Sequence, residues 1–168
     1  MKRKVFQLLV ENNSGVLSRI SGLFSRRGYN IESITAGDTA DPNITRITIV
    51  ATGDDEVLAQ IEKQVAKLVD VRDIRELKPD VSVYRELALI KVRVEAKDRP
   101  ELISLTDVFR ANVVDVAKDG LIIEITGNQG KINAFLKLID GYEILEIART
   151  GIAGLRRGTD DIVYPVVN

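Results

Sequence analysis

The chain has 168 residues, 24 Lys+Arg against 25 Asp+Glu, and neither Cys nor His. With no imidazole and no thiol, a Ser-His-Asp triad, a thiolate nucleophile, a disulfide, a zinc knuckle and an iron–sulfur cluster are excluded. A net charge of −1 gives no global footprint for nucleic acid, and no apolar run reaches the ~20 residues of a membrane helix, so a cytoplasmic protein is expected.

The composition is 45% hydrophobic but only 5% aromatic, and Val and Ile together number 38, so an aliphatic, strand-rich core is expected. Residues 4–10 read as a strand with apolar side chains on both faces. Asn12-Asn13-Ser14-Gly15 is a polar turn with N-cap candidates. Val16, Leu17, Ile20, Leu23 and Phe24 then recur at helical spacing, and Gly28 stands where a helix takes its terminal glycine. Residues 30–36 read as a second strand, 39–43 as a loop and 44–52 as a third strand. Asp54-Asp55-Glu56 opens a helix whose apolar face carries Val57, Leu58, Ile61, Val65 and Leu68; residues 71–77 follow as a fourth strand.

Pro79 and Asp80 mark a break. Residues 88–95 alternate as a strand, and Asp98-Arg99-Pro100-Glu101 is a helix start leading to about Arg110. Residues 113–117 and 121–126 are strands joined through Lys118-Asp119-Gly120, a hairpin signal. Ile132, Phe135, Leu136 and Ile139 mark a helix ending at Gly141, and residues 144–149 a last strand. The order βαββαβ therefore occurs twice. The expectation is an α+β chain of tandem ferredoxin-like domains, residues 1–78 and 85–150, with a linker at 79–84 and a surface-wrapping tail at 151–168. The alternative is a single α+β domain. In each unit two helices cover one sheet face, the second and fourth strands are edges, and the other face is wet or covered by a partner. Pairing of such edges or faces in a homodimer would stabilise units this small.

Three motifs have structural explanations. Gly127-Asn128-Gln129-Gly130-Lys131 lacks the spacing of a phosphate loop and reads as a capped helix start. RNA-binding sheets of this topology stack bases on central-strand aromatics, and here only Phe6 is available. Asp54-Asp55-Glu56 suits a helix dipole as well as a metal. No catalytic residue and no metal ligand is therefore assigned. The turn at residues 12–16 is different. Backbone N–H groups at a helix start bind carboxylates, Gly15 permits close approach, and Asn12 offers both a donor and an acceptor. The residues alone leave Ser14 as an ordinary N-cap as the simpler alternative.

Residues 11–20, ENNSGVLSRI, and 23–33, LFSRRGYNIES, closely resemble the start of the ACT-domain small regulatory subunits of acetolactate synthase, or acetohydroxyacid synthase. The resemblance continues at 61–65, 68–71, 85–92 and 148–151 and covers nearly the whole chain. It implies an ACT domain first and a second ferredoxin-like domain after it. It implies no catalysis and no cofactor in this chain: thiamine diphosphate, Mg2+ and FAD belong to a large catalytic subunit that condenses two 2-oxoacids. It implies a homodimer through ACT domains that binds valine or another branched-chain amino acid between chains. Asn12, Gly15 and Val16 would come from one chain, and Asn30 and Ile31 from the other. Binding would confer feedback inhibition on a large subunit that the small one activates. No nucleic-acid or membrane partner is implied. Two other readings remain: a free-standing ACT-type sensor acting on another enzyme or a transcription factor, and a small carboxylate-dependent hydrolase.

Overall fold

A computed structural model describes residues 1–159. Its elements are β1 (Lys2–Glu11), α1 (Val16–Arg27), β2 (Asn30–Asp38), β3 (Ile44–Gly53), α2 (Asp55–Val65), β4 (Val71–Glu76), β5 (Ser82–Arg93), α3 (Arg99–Val108), β6 (Asn112–Ala117), β7 (Gly120–Gly127), α4 (Gln129–Leu138), β8 (Glu143–Arg149) and β9 (Ala153–Arg156). The chain divides into one unit of residues 1–83 with the chain from Ile152, and another of Tyr84–Gly151. Each carries the expected βαββαβ order.

In the first unit the sheet order is β2-β3-β1-β4, with every pairing antiparallel. The two central strands are therefore the first and third in sequence, and β2 and β4 are edges. Helix α1 buries Val16, Ile20, Leu23 and Phe24, at positions i, i+4, i+7 and i+8, which form one face of a 3.6-residue repeat. They meet Leu58, Ile61 and Val65 of α2 above Phe6, Leu8, Val10, Ile47, Ile49 and Ala51 of the sheet. Each such side chain contributes about 1.5–3 kcal/mol on burial. Gly28 ends α1 at φ 66°, a left-handed conformation in which a Cβ costs energy, and its N–H closes onto the last turn. Leu68 lies beyond the end of α2 but still packs on this core.

The other face of this sheet departs from the expectation of solvent or a partner. Val5, Gln7 and Leu9 of β1 and Thr48 and Val50 of β3 are all buried within the single chain. The unbroken apolar run of β1 is the pattern of a strand covered on both sides. Arg46 shares this face, with its Nη1 buried and without a hydrogen-bond partner among the described residues; burial pushes its pKa down.

In the second unit the order is β6-β7-β5-β8, again antiparallel. Its core joins Ala88, Ile90 and Val92 to Leu102, Leu121, Ile123, Ile125, Ile132 and Phe135. Helix α4 begins as expected, with the Asn128 side chain accepting from Lys131 N–H at 2.8 Å. Two segments differ from the sequence reading. Residues 79–81 form a single 3-10 turn, and Ser82 and Val83, expected in a linker, are already strand. Four residues of the expected tail form β9, which pairs with β5, and the Arg157 N–H donates to Val81 O at 2.7 Å. Main-chain pairing follows from a neighbouring edge, and the short Ala-Gly-Leu-Arg segment carries too little pattern to announce it. The rest of the tail, 160–168, lies outside the described residues.

Candidate functional site

The turn between β1 and α1 has a geometry that the sequence left open. Gly15, not Ser14, is the N-cap of α1; it sits at φ 85° and no side chain caps the helix. The first N–H groups of an α-helix have no partner inside the helix. At α2 and α4 a side chain supplies one, through Asp54 to Val57 N–H and Asn128 to Lys131 N–H, each at 2.8 Å. At α1 none does among the described residues, and Val16 N–H donates to Asn13 O at a long 3.5 Å. The result is a helix start without a side-chain cap, reached through the exposed residues Ser14 and Gly15. Glycine is required there: a side chain in the left-handed region costs ~1–2 kcal/mol.

The chain around the turn is held firmly. Glu11 N–H donates to Asp70 O at 2.9 Å and Asn12 N–H to Asn43 O at 2.8 Å. The Asn12 side-chain Nδ2 donates to Pro42 O at 2.9 Å. With Nδ2 committed, Oδ1 remains as an acceptor at the mouth of the turn. The loop at 39–43 is closed on itself by Thr39 Oγ1 and by Asn43 N–H on Asp41 Oδ1, so the carbonyls that grip Asn12 are fixed.

Asn12, Gly15 and Val16 are therefore together. Asn30 and Ile31 are not with them. Asn30 pairs with Thr52, which pairs with Arg3, whereas Glu11 pairs with Ile44 at the far end of the sheet. Eight positions of β1 separate these rows, about 27 Å at ~3.4 Å per residue. Asn30 is exposed, and its Nδ2 donates to Thr52 Oγ1 at 2.7 Å, which leaves its Oδ1 as an acceptor too. Ile31 packs on the edge of the core. No single ligand of amino-acid size touches both groups in one chain. Edge strand β2 supplies the geometry that would join them: antiparallel pairing of two β2 strands about a twofold axis sets the Asn30 end of each beside the Asp38 end of the other, the end at which Asn12 and Gly15 stand.

The sequence reading did not assign a role to Arg19 or Asp70. Arg19 Nε donates to Asp70 Oδ2, and a Cβ built on Gly15 would meet Arg19 Nη1 at 3.0 Å. The signal available in the sequence was the i, i+4 spacing of Gly15 and Arg19, which stacks a side chain back toward the helix start. Nothing local points to Asp70, which is 51 positions away.

The other candidates resolve as structural. Lys2, Arg3 and Lys4 pair with Asp55, Glu32 and Glu76 at 2.7, 2.7 and 2.9 Å. Hydrogen bonding to Glu76 raises the Lys4 pKa, and hydrogen bonding to Lys2 lowers that of Asp55. Phe6 is 1% exposed and cannot stack on a base. Asp54 is a helix cap and Asp55 an ion-pair partner. Among the described residues no three metal-ligating side chains converge. A cleft of about 310 Å³ at the start of α4 is lined by Arg85, Thr126, Gly127, Asn128 and Lys131. Its cations are engaged, Lys131 Nζ on Thr126 O and Arg85 Nη1 on Tyr84 O. Among the described residues no helix is long and apolar enough to cross a membrane.

Comparison with known proteins gives two family matches that together span most of the chain. Residues 6–73 match the model of the AHAS small subunit-like ACT domain, and residues 85–158 that of the small subunit of acetolactate synthase. The acetolactate synthase small subunit of Mycolicibacterium smegmatis is 48% identical over 151 residues, covering 90% of this chain and 89% of that one. The small subunit of acetolactate synthase isozyme 3 from Escherichia coli is 46% identical over 157 residues, covering 93% and 96%. The crystal structure of the acetolactate synthase small subunit from Thermotoga maritima superposes with a TM-score of 0.87 at 42% identity, covering 95% of this chain and 99% of that one.

Proposed function

The chain belongs to the acetolactate synthase small-subunit family, and from that premise we propose that it is a regulatory subunit which binds a branched-chain amino acid, valine first among them, between the ACT domains of two copies. The observation that carries this reading is the uncapped start of α1 behind Gly15, with the Asn12 acceptor beside it and a β2 edge bearing Asn30 that pairs with no further strand among the described residues.

On this reading the effector carboxylate rests on the N–H groups of Gly15 and Val16 at the positive end of α1. Its ammonium faces Oδ1 of Asn12 and Oδ1 of Asn30 from the second copy. The isopropyl group lies against aliphatic side chains that include Ile31, whose contact with such a group is worth ~1.5–3 kcal/mol. A pocket of this kind separates ligands differing by one methylene by only ~1–3 kcal/mol, so the preference for valine over leucine or isoleucine is one of degree.

The partner is the large catalytic subunit. Thiamine diphosphate, Mg2+ and FAD belong to it, and no side chain of the small subunit makes or breaks a bond. The small subunit raises the large subunit's activity, and valine bound between two copies reduces it. Effector and large subunit then bind with a reciprocal coupling free energy, because both act on one dimer.

The test has two arms. Titration calorimetry of the purified chain with valine should give saturable heat at one or two sites per dimer. Reconstitution with the large subunit should raise acetolactate formation, and valine should lower it again. Absence of heat and of any thermal shift at millimolar valine would remove the effector site. Failure to associate with the large subunit would favour the free-standing sensor.

A further inference from the structure

The Gly15 turn carries a cation that the reading above does not use. Arg19 lies one turn into α1, and its side chain runs back toward the helix start. Around the position of a Gly15 Cβ, the atoms found within 4 Å are Arg19 Nη1 at 3.0 Å and Arg19 Cζ at 3.8 Å. The guanidinium is therefore the wall of the space that the missing side chain leaves open. It is held by one edge: Nε donates to Asp70 Oδ2, and the Asp70 side chain is only 12% exposed while Arg19 is 48% exposed. Asp70 is fixed in turn by its own carbonyl, which accepts from Glu11 N–H at the end of β1.

We infer that Arg19 binds the effector carboxylate directly, so that one carboxylate is shared between the N–H groups at the start of α1 and the guanidinium edge above Gly15. This rests on the effector-binding reading given above. A guanidinium has five N–H donors in a fixed plane, and Asp70 engages the Nε side of it. The Nη1 side then faces the turn. A carboxylate placed on the N–H groups of Gly15 and Val16 comes within charge-assisted hydrogen-bonding reach of Nη1. Asp70 has a second effect. Its charge next to the turn would repel an anionic ligand if Arg19 were absent, so the pair favours a carboxylate while Arg19 is present.

The chemistry chooses the experiment. Valine carries the carboxylate and valinamide does not, while both carry the ammonium and the isopropyl group. Titration calorimetry compares the two ligands on the wild-type chain, Arg19→Gln and Gly15→Asp, with melting curves to confirm that each variant is folded. Loss of a charge-assisted contact predicts that Arg19→Gln weakens valine by about tenfold to a hundredfold. Valinamide, a net cation, should bind Arg19→Gln at least as tightly as the wild type, because Asp70 then lacks its partner cation. Wild-type affinity for valine in folded Arg19→Gln, with binding lost in Gly15→Asp, would overturn the role of Arg19 and leave the site standing. Equal weakening of valine and valinamide would also overturn it, since Arg19 would then act on the shape of the turn. No valine binding by the wild-type chain would instead overturn the effector reading on which the inference rests.

Discussion

Substitution of Gly15 separates its conformational role from its place in the site, because two variants should rank in opposite orders. Gly15→Ala forces an L-residue into φ 85°, at ~1–2 kcal/mol. Its Cβ meets Arg19 Nη1 at 3.0 Å, the end of a flexible side chain that moves aside easily. The net cost is about 1 kcal/mol, which for a unit of this size lowers the melting temperature by roughly 4–8 °C. Gly15→Asp suffers less strain, since Asp enters the left-handed region more readily than Ala and its carboxylate finds Arg19. Gly15→Asp should therefore melt at or above Gly15→Ala. For valine the order reverses. Alanine leaves the helix N–H groups in place and costs several-fold in affinity. Aspartate sets a negative charge beside the ligand carboxylate. At a 4 Å separation and an effective dielectric of ~20 the repulsion is ~4 kcal/mol, or about a thousandfold in Kd. Differential scanning calorimetry and valine titration on the same samples read both quantities. Valine affinities that simply follow the melting temperatures would refute the argument, because Gly15 would then act only through the fold.

The remaining expectations test the dimer, the closed sheet face and an ion pair. Asn30→Ala should weaken valine even though Asn30 stands about 27 Å along the strands from its own Gly15. Mixing Asn30→Ala chains with Gly15→Asp chains in equal amounts should restore one intact site of two in each mixed dimer, seen as about a quarter of the wild-type stoichiometry when chains exchange at random; no recovery in mixed dimers would count against a site shared between chains. Arg46→Met replaces a buried donor without a partner among the described residues, and should raise stability to urea by ~1–3 kcal/mol; a loss of stability would show that the cation is satisfied. The raised pKa of Lys4 means that its pairing with Glu76 stabilises the fold fully below pH 10.5 and is lost as pH rises through the higher folded value. Resonances of the Lys4 ammonium should accordingly titrate above 10.5 in the wild type and move back toward it in Glu76→Gln, and identical titrations in the two would show that Glu76 is not the cause.

Much of this molecule is written locally. The helical repeat from Val16 to Phe24, Gly28 at the end of α1, and the Asp54 and Asn128 caps each depend on neighbours within one or two turns. Periodicity therefore located both βαββαβ units, and the residues at 11–33 identified the family. The same locality misled at Ser14. A serine before a helix is a common cap, but Gly15 takes the cap position because a positive φ is needed to leave β1 and enter α1 in so short a turn.

What the sequence by itself determined is the set of elements, their order and the residue types available to a carboxylate. Tertiary structure decided which of them meet. Strand register placed Asn30 at the opposite end of the sheet from Asn12, so one chain alone does not bring the expected residues together. Packing brought Asp70 to Arg19 across 51 positions, and Arg19 to the open side of Gly15. It also buried the second face of β1 and turned residues 153–156 into a strand. Hydrophobic period and capping are properties of a short segment and survive in any context. Register, edge pairing and ion pairs between distant segments depend on how the whole core closes, and no local pattern carries them.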